Sequence, residues 1–504
     1  MFQAAELGQA VSDREFKDRE PDIWHRLLMQ QQRLRRQADS AVLVDFAGVR
    51  GAGKSECTNL LNKWMDARWI HTHGFDPEVE RERVRPRMWR YWMRLAPRGQ
   101  IGLYLSGRYS PLLLDRVFER IDHEAFELRI RRINVFEKML ADDGMLVLKY
   151  WMHISKALQK ERLQRIEQDP DHHWRVTETH WKHWALYDRF IEVAEQIISL
   201  TNTGHAPWEI VEASDPNYRA LHVGASLHDQ MDRHMTRVEL HGKFREELNQ
   251  QLDNGNGAGP AGPVKTVFDS LDFTKTLEKD DYQEQLEHYQ SRLSRLQHRA
   301  QEKKLSTILV FEGPDASGKG GAIRRITNCL DARYFKVHPF AAPTDEESQH
   351  HYLWRFWRCI PRDGRLSIFD RSWYGRVLVE RVEGLASDGE WRRAYREINA
   401  FEYELVDHGI VFLKFWIHVN EDEQLARFNK RQKTPHKQWK QTDEDWRNRE
   451  KWHEYTAAAH DAIKLTDTQS CPWVLVEGNS KQRARIKVLQ EVCRALEATL
   501  NEPA

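Results

Sequence analysis

The chain has 504 residues, of which 40% are hydrophobic and 31% charged, and its formal net charge is zero. This length allows two to four domains, each with its own hydrophobic core. A net charge of zero argues against a protein that coats nucleic acid, and no apolar run approaches the ~18 residues of a membrane span.

The N-terminal stretch, "MFQAAELGQAVSDREF", has neither the basic segment nor the apolar segment of a signal peptide. The cysteines are odd in number and form no C-x-x-C pair: Cys57, Cys329, Cys359, Cys471 and Cys493. Scattered thiols of this kind are typical of a reducing compartment and disfavour a disulfide framework or a zinc site. We therefore expect a cytoplasmic protein without a membrane partner.

The first clear elements in chain order are an apolar strand, a glycine-rich turn and a helix start in "VLVDFAGVRGAGKSECTNL", residues 42–60. Its turn has the full G-x-x-x-x-G-K-[ST] pattern of a P-loop (Walker A motif). A second stretch of the same kind, "ILVFEGPDASGKGGAIRRI", occupies residues 308–326 but ends its turn in Gly-Lys-Gly. In such loops, backbone N–H groups at a helix N-terminus surround phosphate oxygens and the lysine reaches the distal phosphate.

The two loops belong to one module that occurs twice. Lys54 and Lys319 lie 265 positions apart, and the same offset relates many other residues without a gap. Matching pairs are "DARWI" at 66–70 with "DARYF" at 331–335, "MWRYW" at 88–92 with "LWRFW" at 353–357, and "PW" at 207–208 with "PW" at 472–473. Two unrelated P-loops would not keep a constant register over about 170 residues, so the pattern indicates a tandem duplication.

The stretch from Asn249 to Pro263 is rich in Asn, Gly and Pro and is the best candidate for a linker. It predicts an N-terminal domain over residues 1–250 and a C-terminal domain over residues 264–504. Both copies alternate β-like runs, such as "TILVF" and "IVFLKFWIHV", with long helical stretches. A P-loop after the first strand of such a series predicts an α/β fold with a doubly wound parallel sheet. A charged helical segment, Glu421 to Asp461 in the second copy, lies where a lid is usual.

The second copy has two acids suited to a metal ion. Gly320 replaces the Ser or Thr that usually helps to hold Mg²⁺, so other oxygens must do so. Asp315 lies inside the loop, and Asp370 ends the strand of "RLSIFDRSWYG", where a Walker B carboxylate belongs. One or two carboxylates with substrate phosphates are the usual ligands of Mg²⁺. Arg371 follows directly and can face a transferring phosphoryl group.

The offset of 265 shows what the first copy lacks. Asp315 corresponds to Arg50, Asp370 to Leu105 and Arg371 to Ser106. An alternative role for Asp370 is that of a strand-end cap, but a structural cap has no reason to be lost together with Asp315. We therefore expect the second copy to be catalytic. Phosphate is expected to bind to Lys319 and to the loop glycines Gly313, Gly318 and Gly320.

The predicted lid also differs between the copies. Residues 426–441 carry six basic side chains and no acid, whereas the matching window 161–176 has a net charge of −1. The six are Arg427, Lys430, Arg431, Lys433, Lys437 and Lys440. A charge run is often only a solvated face. Beside a phosphate loop, this basic run favours a binding track for a long polyanion. We expect four of its six basic side chains to bind phosphate: Arg427, Arg431, Lys437 and Lys440.

The loop "GPDASGKGG", the segment "FDRSWYGRVLVERV" at 369–382 and the segment "RFNKRQKTPHKQWK" at 427–440 together resemble the polyphosphate kinase 2 family. The duplicated layout is similar to its class II, two-domain members. The resemblance implies Mg²⁺-dependent transfer of the terminal phosphoryl group of inorganic polyphosphate to AMP, which gives ADP. It also implies a three-layer fold related to thymidylate kinase with a helical lid. By this resemblance Asp315 and Asp370 bind the metal, and Lys319 and Arg371 hold phosphate.

Other functions fit part of the pattern. A polyphosphate-dependent kinase of nucleoside diphosphates and an ATP-dependent nucleotide kinase would use the same loop, although a single triphosphate does not need so basic a lid. A nucleotide-gated scaffold would not need the complete acid set of the second copy. For the choice of AMP we consider only Arg355 with Trp354 and Trp357, and Arg90 repeats that arginine in the first copy. The sequence leaves a homo-oligomer open.

Overall fold

The computed structural model describes residues 1–252, 265–434 and 443–501. The chain divides into two compact units. Within the described residues, the first unit contains 1–78, 90–252 and 349–351, and the second contains 79–89, 265–348, 352–434 and 443–501. The domain boundaries at residues 250 and 264 stay predictions.

The first copy contains one five-stranded sheet in the order β2-β3-β1-β4-β5, with every neighbouring pair parallel. Its strands are β1 Val42–Gly48, β2 Ile70–Gly74, β3 Ile101–Leu105, β4 Leu146–His153 and β5 Trp208–Glu212. Its helices are α1 Asp13–Gln37, α2 Lys54–Trp64, α3 Glu80–Arg83, α4 Trp89–Trp92, α5 Tyr109–Val117, α6 His123–Asp142, α7 Lys156–Gln168, α8 Glu178–Ala185, α9 Tyr187–Thr201 and α10 Pro216–Leu252. Short 3₁₀ helices cover Phe2–Ala5, Ala67–Trp69 and His173–Arg175.

The second copy repeats this sheet in the order β7-β8-β6-β9-β10, again all parallel. Its strands are β6 Thr307–Glu312, β7 Phe335–Pro339, β8 Leu366–Asp370, β9 Val411–His418 and β10 Trp473–Glu477. Its helices are α11 Lys279–Glu302, α12 Lys319–Thr327, α13 Asp345–Ser348, α14 Trp354–Trp357, α15 Val379–Val382, α16 Asp388–Asp407, α17 Glu421–Gln432, α18 Asp443–Glu450, α19 Trp452–Thr466 and α20 Lys481–Asn501. Short 3₁₀ helices cover Val267–Ser270 and Trp373–Val377.

The central strand explains the layering. Every residue of β6 is buried, although successive side chains of a strand point to opposite faces. A parallel strand with this pattern must be covered on both faces, which gives the predicted three-layer α/β/α arrangement. β6 lies between β8 and β9, so the chain turns in opposite directions on its two sides. In open α/β sheets, ligands bind at the carboxyl ends of the strands at such a point.

A buried polar cluster recurs in both copies. Lys414 of β9 donates to Glu402 Oε2 at 2.6 Å and to Tyr374 Oη at 3.0 Å. In the first copy, Lys149 of β4 donates to Glu137 Oε2 at 2.8 Å and to the corresponding tyrosine at 3.2 Å. A buried charge is tolerated only when it is paired and hydrogen-bonded, so both copies had to keep the complete cluster.

Two further predictions concern the linker between the copies and membrane-spanning helices. Helix α10 continues to Leu252, so the first four residues of the predicted linker are helical, and residues 253–263 lie outside the described part of the chain. No helix in the described ranges is both long enough and apolar enough to span a membrane.

Candidate active site

The P-loop of the second copy leaves the carboxyl end of β6 and enters α12. Gly313 has φ +139°, and a Cβ atom there would lie 2.2 Å from the carbonyl oxygen of Ile417 on β9. Only glycine permits this approach of two backbones. Gly318 precedes the helix with φ +121°. Gly320 is different, because a Cβ atom there would meet nothing within 4 Å. Steric hindrance therefore does not explain the absence of the usual Ser or Thr at this position.

Lys319 lies inside the curve of this loop. Its Nζ donates to the carbonyl oxygens of Gly313 at 2.5 Å and of Pro314 at 3.2 Å. Burial lowers the pKa of Lys319, and the neighbouring Asp315 counteracts part of that shift. The ammonium group therefore lies at the centre of the loop, where a P-loop lysine meets a phosphate.

Asp315 is held on both carboxylate oxygens. Arg371 donates to Oδ1 at 3.0 Å and Asn448 of α18 donates to Oδ2 at 2.8 Å. Burial opposes ionisation of Asp315, but the charges of Lys319 and Arg371 outweigh it and lower the pKa of Asp315. The side chain is thus an oriented carboxylate with lone pairs left for a cation.

Asp370 is the last residue of β8, as predicted, and pairs in register with Phe311. Its carboxylate makes no hydrogen bond or ion pair to another described residue. Arg371 adopts the left-handed conformation with φ +65°, which is uncommon for a side chain of this size. Ser106 has φ +55° at the same position of the first copy. The left-handed turn is therefore a property of the fold, whereas the arginine is present in the second copy alone.

A third acid, which the sequence analysis missed, lines the same place. Glu312 ends β6 and is 4% exposed, and its Oε1 accepts a hydrogen bond of 2.8 Å from Ser372. Burial raises the pKa of Glu312, although Ser372 and the nearby cations oppose the shift. The offset of 265 places Ala47 at this position in the first copy. That comparison would have revealed the residue.

A cleft that is open to solvent lies beside the loop. Glu312, Asp315 and Arg371 form its polar side. The other wall is mostly aromatic or apolar and includes Leu378, Val379, Trp416, His418, Trp452 and Tyr455. Pockets that combine an apolar wall with a few converging polar groups are typical ligand sites.

The three residues considered for AMP do not line this cleft. Trp354 is 7% exposed and Trp357 is 1% exposed, so both indoles belong to the core. Arg355 donates to the carbonyl oxygen of Ala341 at 3.1 Å and pairs with Glu347 at 3.3 Å. Their contacts are those of core and loop residues. The aromatic residues of the cleft lie on β9 or on α19, where no motif marks them.

Arg427 occupies a different place from the one expected of a polyanion track. Its side chain is 5% exposed. Nη1 donates to the carbonyl oxygens of Ala316 and Ser317, Nη2 to those of Gly478 and Asn479, and Nε to Glu423, all at 2.6–3.0 Å. A guanidinium group has five N–H donors, and all five are used. Arg427 therefore supports the P-loop from behind, and we remove it from the set of phosphate ligands.

The other lid residues remain candidates. Arg431 is half-buried at the end of α17, with its guanidinium 6.0 Å from the ring of Phe428. Lys430 and Lys433 beside it are exposed. Lys437 and Lys440 lie outside the described residues.

The loop of the first copy has a similar backbone but a different charge. Lys54 donates to the carbonyl oxygens of Gly48 and Val49, both at 3.0 Å, as Lys319 does in its own loop. Burial and the charge of Arg50 lower the pKa of Lys54 to about 8. With Arg50 and Leu105 in place of the two acids, this loop has no carboxylate at either predicted metal position.

The residues of the second copy fit a magnesium ion. Within the described ranges no three His, Cys, Asp or Glu side chains cluster as a complete protein-made metal site. Mg²⁺ does not need one, because it is usually bound by one or two carboxylates, by water and by substrate phosphates. Asp315 is oriented and ionised, and Asp370 has no competing partner among the described residues, so both carboxylates are suitable.

Comparison with known proteins identifies the family of this chain. The chain is 42% identical over 500 residues to a polyphosphate:AMP phosphotransferase of Pseudomonas aeruginosa, covering 99% of both chains. It is 41% identical to the protein of that name from Pseudomonas syringae pv. tomato, covering 99% of this chain and 98% of the relative. A crystal structure assigned to polyphosphate kinase 2 from Pseudomonas aeruginosa matches 99% of both chains with a TM-score of 0.87 and 40% identity. The family model described as Polyphosphate kinase 2 matches residues 10–239 and 276–503. The chain therefore belongs to the polyphosphate kinase 2 family.

Proposed function

We propose that this protein is an enzyme that transfers the terminal phosphoryl group of inorganic polyphosphate to AMP and forms ADP. The observation that carries the proposal is the P-loop of the second copy, in which Lys319 lies inside the loop and Arg371 donates to Asp315 at the edge of one cleft. Full-length similarity to proteins named polyphosphate:AMP phosphotransferase supports the choice of donor and acceptor.

The donor end of the reaction is assigned to the P-loop. Backbone N–H groups at Gly313, Gly318 and Gly320 and the ammonium group of Lys319 bind the terminal phosphates of the chain. Lys319 exchanges its bonds to loop carbonyls for bonds to phosphate oxygens. Arg371, which lies at the end of β8, neutralises charge on the transferring group.

We assign Mg²⁺ to Asp315 and Asp370. Kinases of this family generally require a divalent metal ion. A bound Mg²⁺ supplies charge neutralisation on the oxygens of the donor phosphates. The protein contributes the two carboxylates and the orientation that Arg371 and Asn448 give to the first of them.

We place AMP in the cleft beside the loop. The adenine ring packs on the aromatic wall formed by Trp416, Trp452 and Tyr455, while the phosphate points to Asp315 and Arg371. An oxygen of the AMP phosphate attacks the terminal phosphorus of polyphosphate in line, and the bond from that phosphorus to the rest of the chain breaks. The products are ADP and a polyphosphate shorter by one unit, without a covalent enzyme intermediate.

The remaining polyphosphate runs along the basic end of α17. Arg431 provides the best-defined contact, with Lys430 and Lys433 exposed beside it. Lys437 and Lys440 are assigned to the same track from the sequence alone. A cytoplasmic location is likewise proposed, on the five cysteines that form no disulfide.

The experiment is an incubation with Mg²⁺, AMP and polyphosphate in the absence of ATP, followed by measurement of ADP. ADP should form with the wild type and fall at least ~100-fold with Asp370→Asn, which removes a metal ligand but no core volume. Replacing AMP by ADP or GDP tests the nucleoside diphosphate alternative, and replacing polyphosphate by ATP tests the ordinary nucleotide kinase. Faster turnover with either replacement would contradict the proposal.

A further inference from the structure

A chain of polar side chains leads from the P-loop to the helices that follow the lid. Asn448 of α18 donates from Nδ2 to Asp315 Oδ2 at 2.8 Å. Its Oδ1 accepts a hydrogen bond of 3.0 Å from the hydroxyl of Tyr455 on α19. That hydroxyl lies 3.3 Å from Glu383 Oε1, and Lys451 donates to Glu383 Oε2 at 3.0 Å.

The carboxylate of Asp315 fixes which way the amide of Asn448 points, and the hydroxyl of Tyr455 holds the amide in that orientation. An amide group can turn so that oxygen and nitrogen exchange places, and its neighbours decide the orientation. Because the ionised Asp315 can only accept hydrogen bonds, the NH₂ group of Asn448 must face it, and the amide oxygen then accepts from the Tyr455 hydroxyl. The carboxylate then receives one fixed donor from Asn448 and one from Arg371.

The duplication shows that this chain is not a requirement of the fold. At an offset of 265, Asn448 corresponds to His183, Tyr455 to Phe190 and Glu383 to Phe118. Those three side chains form a ring cluster, with the ring centroids of His183 and Phe190 5.4 Å apart and those of His183 and Phe118 5.5 Å apart. The buried cluster around Lys414 and Lys149, by contrast, is kept in both copies.

We infer that Asn448, held in place by Tyr455, is a positioning residue that holds Asp315 ready to bind the divalent cation, an inference that rests on the proposed metal role of Asp315. The first copy, with Arg50 in place of the aspartate, has no carboxylate to orient and has replaced the chain by apolar and aromatic contacts. Groups that orient a metal ligand typically contribute 10–100-fold to metal affinity or activity.

The test measures metal binding directly, with Mn²⁺ as the probe and electron paramagnetic resonance of free Mn²⁺ as the signal, in the full-length protein without AMP or polyphosphate. Asn448→Ala should weaken Mn²⁺ binding by about 10- to 100-fold, and Tyr455→Phe should weaken it less. His183→Ala, at the matching position of the first copy, should leave it unchanged. Asp315→Asn is the reference for loss of the ligand itself.

The Mg²⁺ dependence of turnover provides a second measurement. The Mg²⁺ concentration for half-maximal activity should rise with Asn448→Ala by the same factor as the Mn²⁺ dissociation constant, and saturating Mg²⁺ should restore much of kcat. High Mg²⁺ should not rescue Asp315→Asn. Tyr455→Phe removes one hydroxyl and keeps the ring, so it carries the test if Asn448→Ala does not fold.

Unchanged Mn²⁺ affinity in folded Asn448→Ala would overturn the inference. A raised KM for AMP with normal metal dependence would also overturn it, because Asn448 would then contact the nucleotide. These outcomes are separable from failure of the proposed function, since Mn²⁺ binding is measured without substrates and ADP formation by the wild type is measured independently.

Discussion

At the scale of single residues, Arg427 and Arg162 occupy matching positions of the repeat. The pair distinguishes residues that support the loop from residues that take part in the chemistry. Arg427 bonds the carbonyl oxygens of Ala316, Ser317, Gly478 and Asn479. Arg162 makes three corresponding bonds, to the carbonyl oxygens of Gly51, Ala213 and Ser214. Both copies therefore keep an arginine behind the loop, whether or not the loop carries the acids.

Arg427→Gln should lower kcat by about 100-fold, because a shift of roughly 1 Å in the loop misplaces the phosphate site and Asp315. Arg162→Gln removes the equivalent bonds from the other loop and should leave kcat per folded molecule unchanged, although both variants lower the melting temperature. Steady-state kinetics and thermal denaturation of the pair check this. A variant of Arg427 with normal kcat and only a salt-sensitive rise in the KM for polyphosphate would show that the side chain contacts the chain after all.

At the scale of elements, helix α17 has two sides with different roles. Its buried side includes Arg427, Gln424 and Phe428, and Gln424 donates to the backbone oxygen of Asp315 at 3.1 Å. Its last turn presents Lys430 and Arg431. The basic run that the sequence suggested as one track is therefore divided by the helix into a supporting side and an exposed end.

Charge reversal at this exposed end, Arg431→Glu with Lys433→Glu, should raise the KM for long polyphosphate by at least ~10-fold and change the KM for AMP little. Exposed charges are screened by salt, so the effect should shrink between low and high ionic strength. Lys182→Glu on α8, an exposed lysine of the first copy, is the matched control. Equal changes in both KM values would contradict the track.

Strands β2 and β7 carry a histidine at the same position, His73 and His338. Burial lowers the pKa of each to about 4. Between pH 6.5 and 4 the unfolded chain takes up a proton that the folded chain excludes, so the free energy of unfolding falls as the pH falls through this window. The stabilising contribution is complete above pH 6.5.

His338→Phe should therefore lose less stability than the wild type between pH 7 and pH 5. His338 makes no hydrogen bond to another described residue, and it lies 5.4 Å from the ring of Phe369, so a phenyl ring suits the site. One proton contributes at most about 1.4 kcal/mol per pH unit. Melting temperatures of both proteins at the two pH values check the prediction, and parallel decreases would show that His338 does not titrate in this range.

The sequence predicted those features that depend on periodicity and on strand ends. The strand "TILVF", the P-loop after it and Asp370 at the end of β8 all lie where local pattern and the repeat placed them. The hydrogen bonds of Arg427 could not be predicted, because a basic composition does not show whether a guanidinium group binds phosphate or a loop carbonyl. Asn448 is likewise separated from Asp315 by 133 residues, and only folding brings them together.

At the scale of the whole molecule, the duplication has kept its scaffold and changed one of its sites. Both copies retain the sheet order, the left-handed turn after the third strand in chain order and the buried lysine cluster. The differences concentrate around one loop, where Asp315, Asp370 and Asn448 of the second copy have become Arg50, Leu105 and His183. We therefore expect the first copy to serve the enzyme by some means other than turnover.

Lys319→Ala should remove catalysis, whereas Lys54→Ala should leave kcat per folded molecule largely unchanged. Both lysines bond the carbonyls of their own loops, so each substitution costs the same local contacts and the two variants control each other for stability. A P-loop lysine accelerates transfer only when a metal-bound phosphoryl group lies beside it, and Arg50 and Leu105 provide no carboxylate for that metal. Initial rates of ADP formation, corrected for folded protein, measure the difference. A loss of half or more of kcat with Lys54→Ala would mean that both copies turn over, while unchanged kcat with a higher KM for polyphosphate would make the first copy a docking domain for the donor.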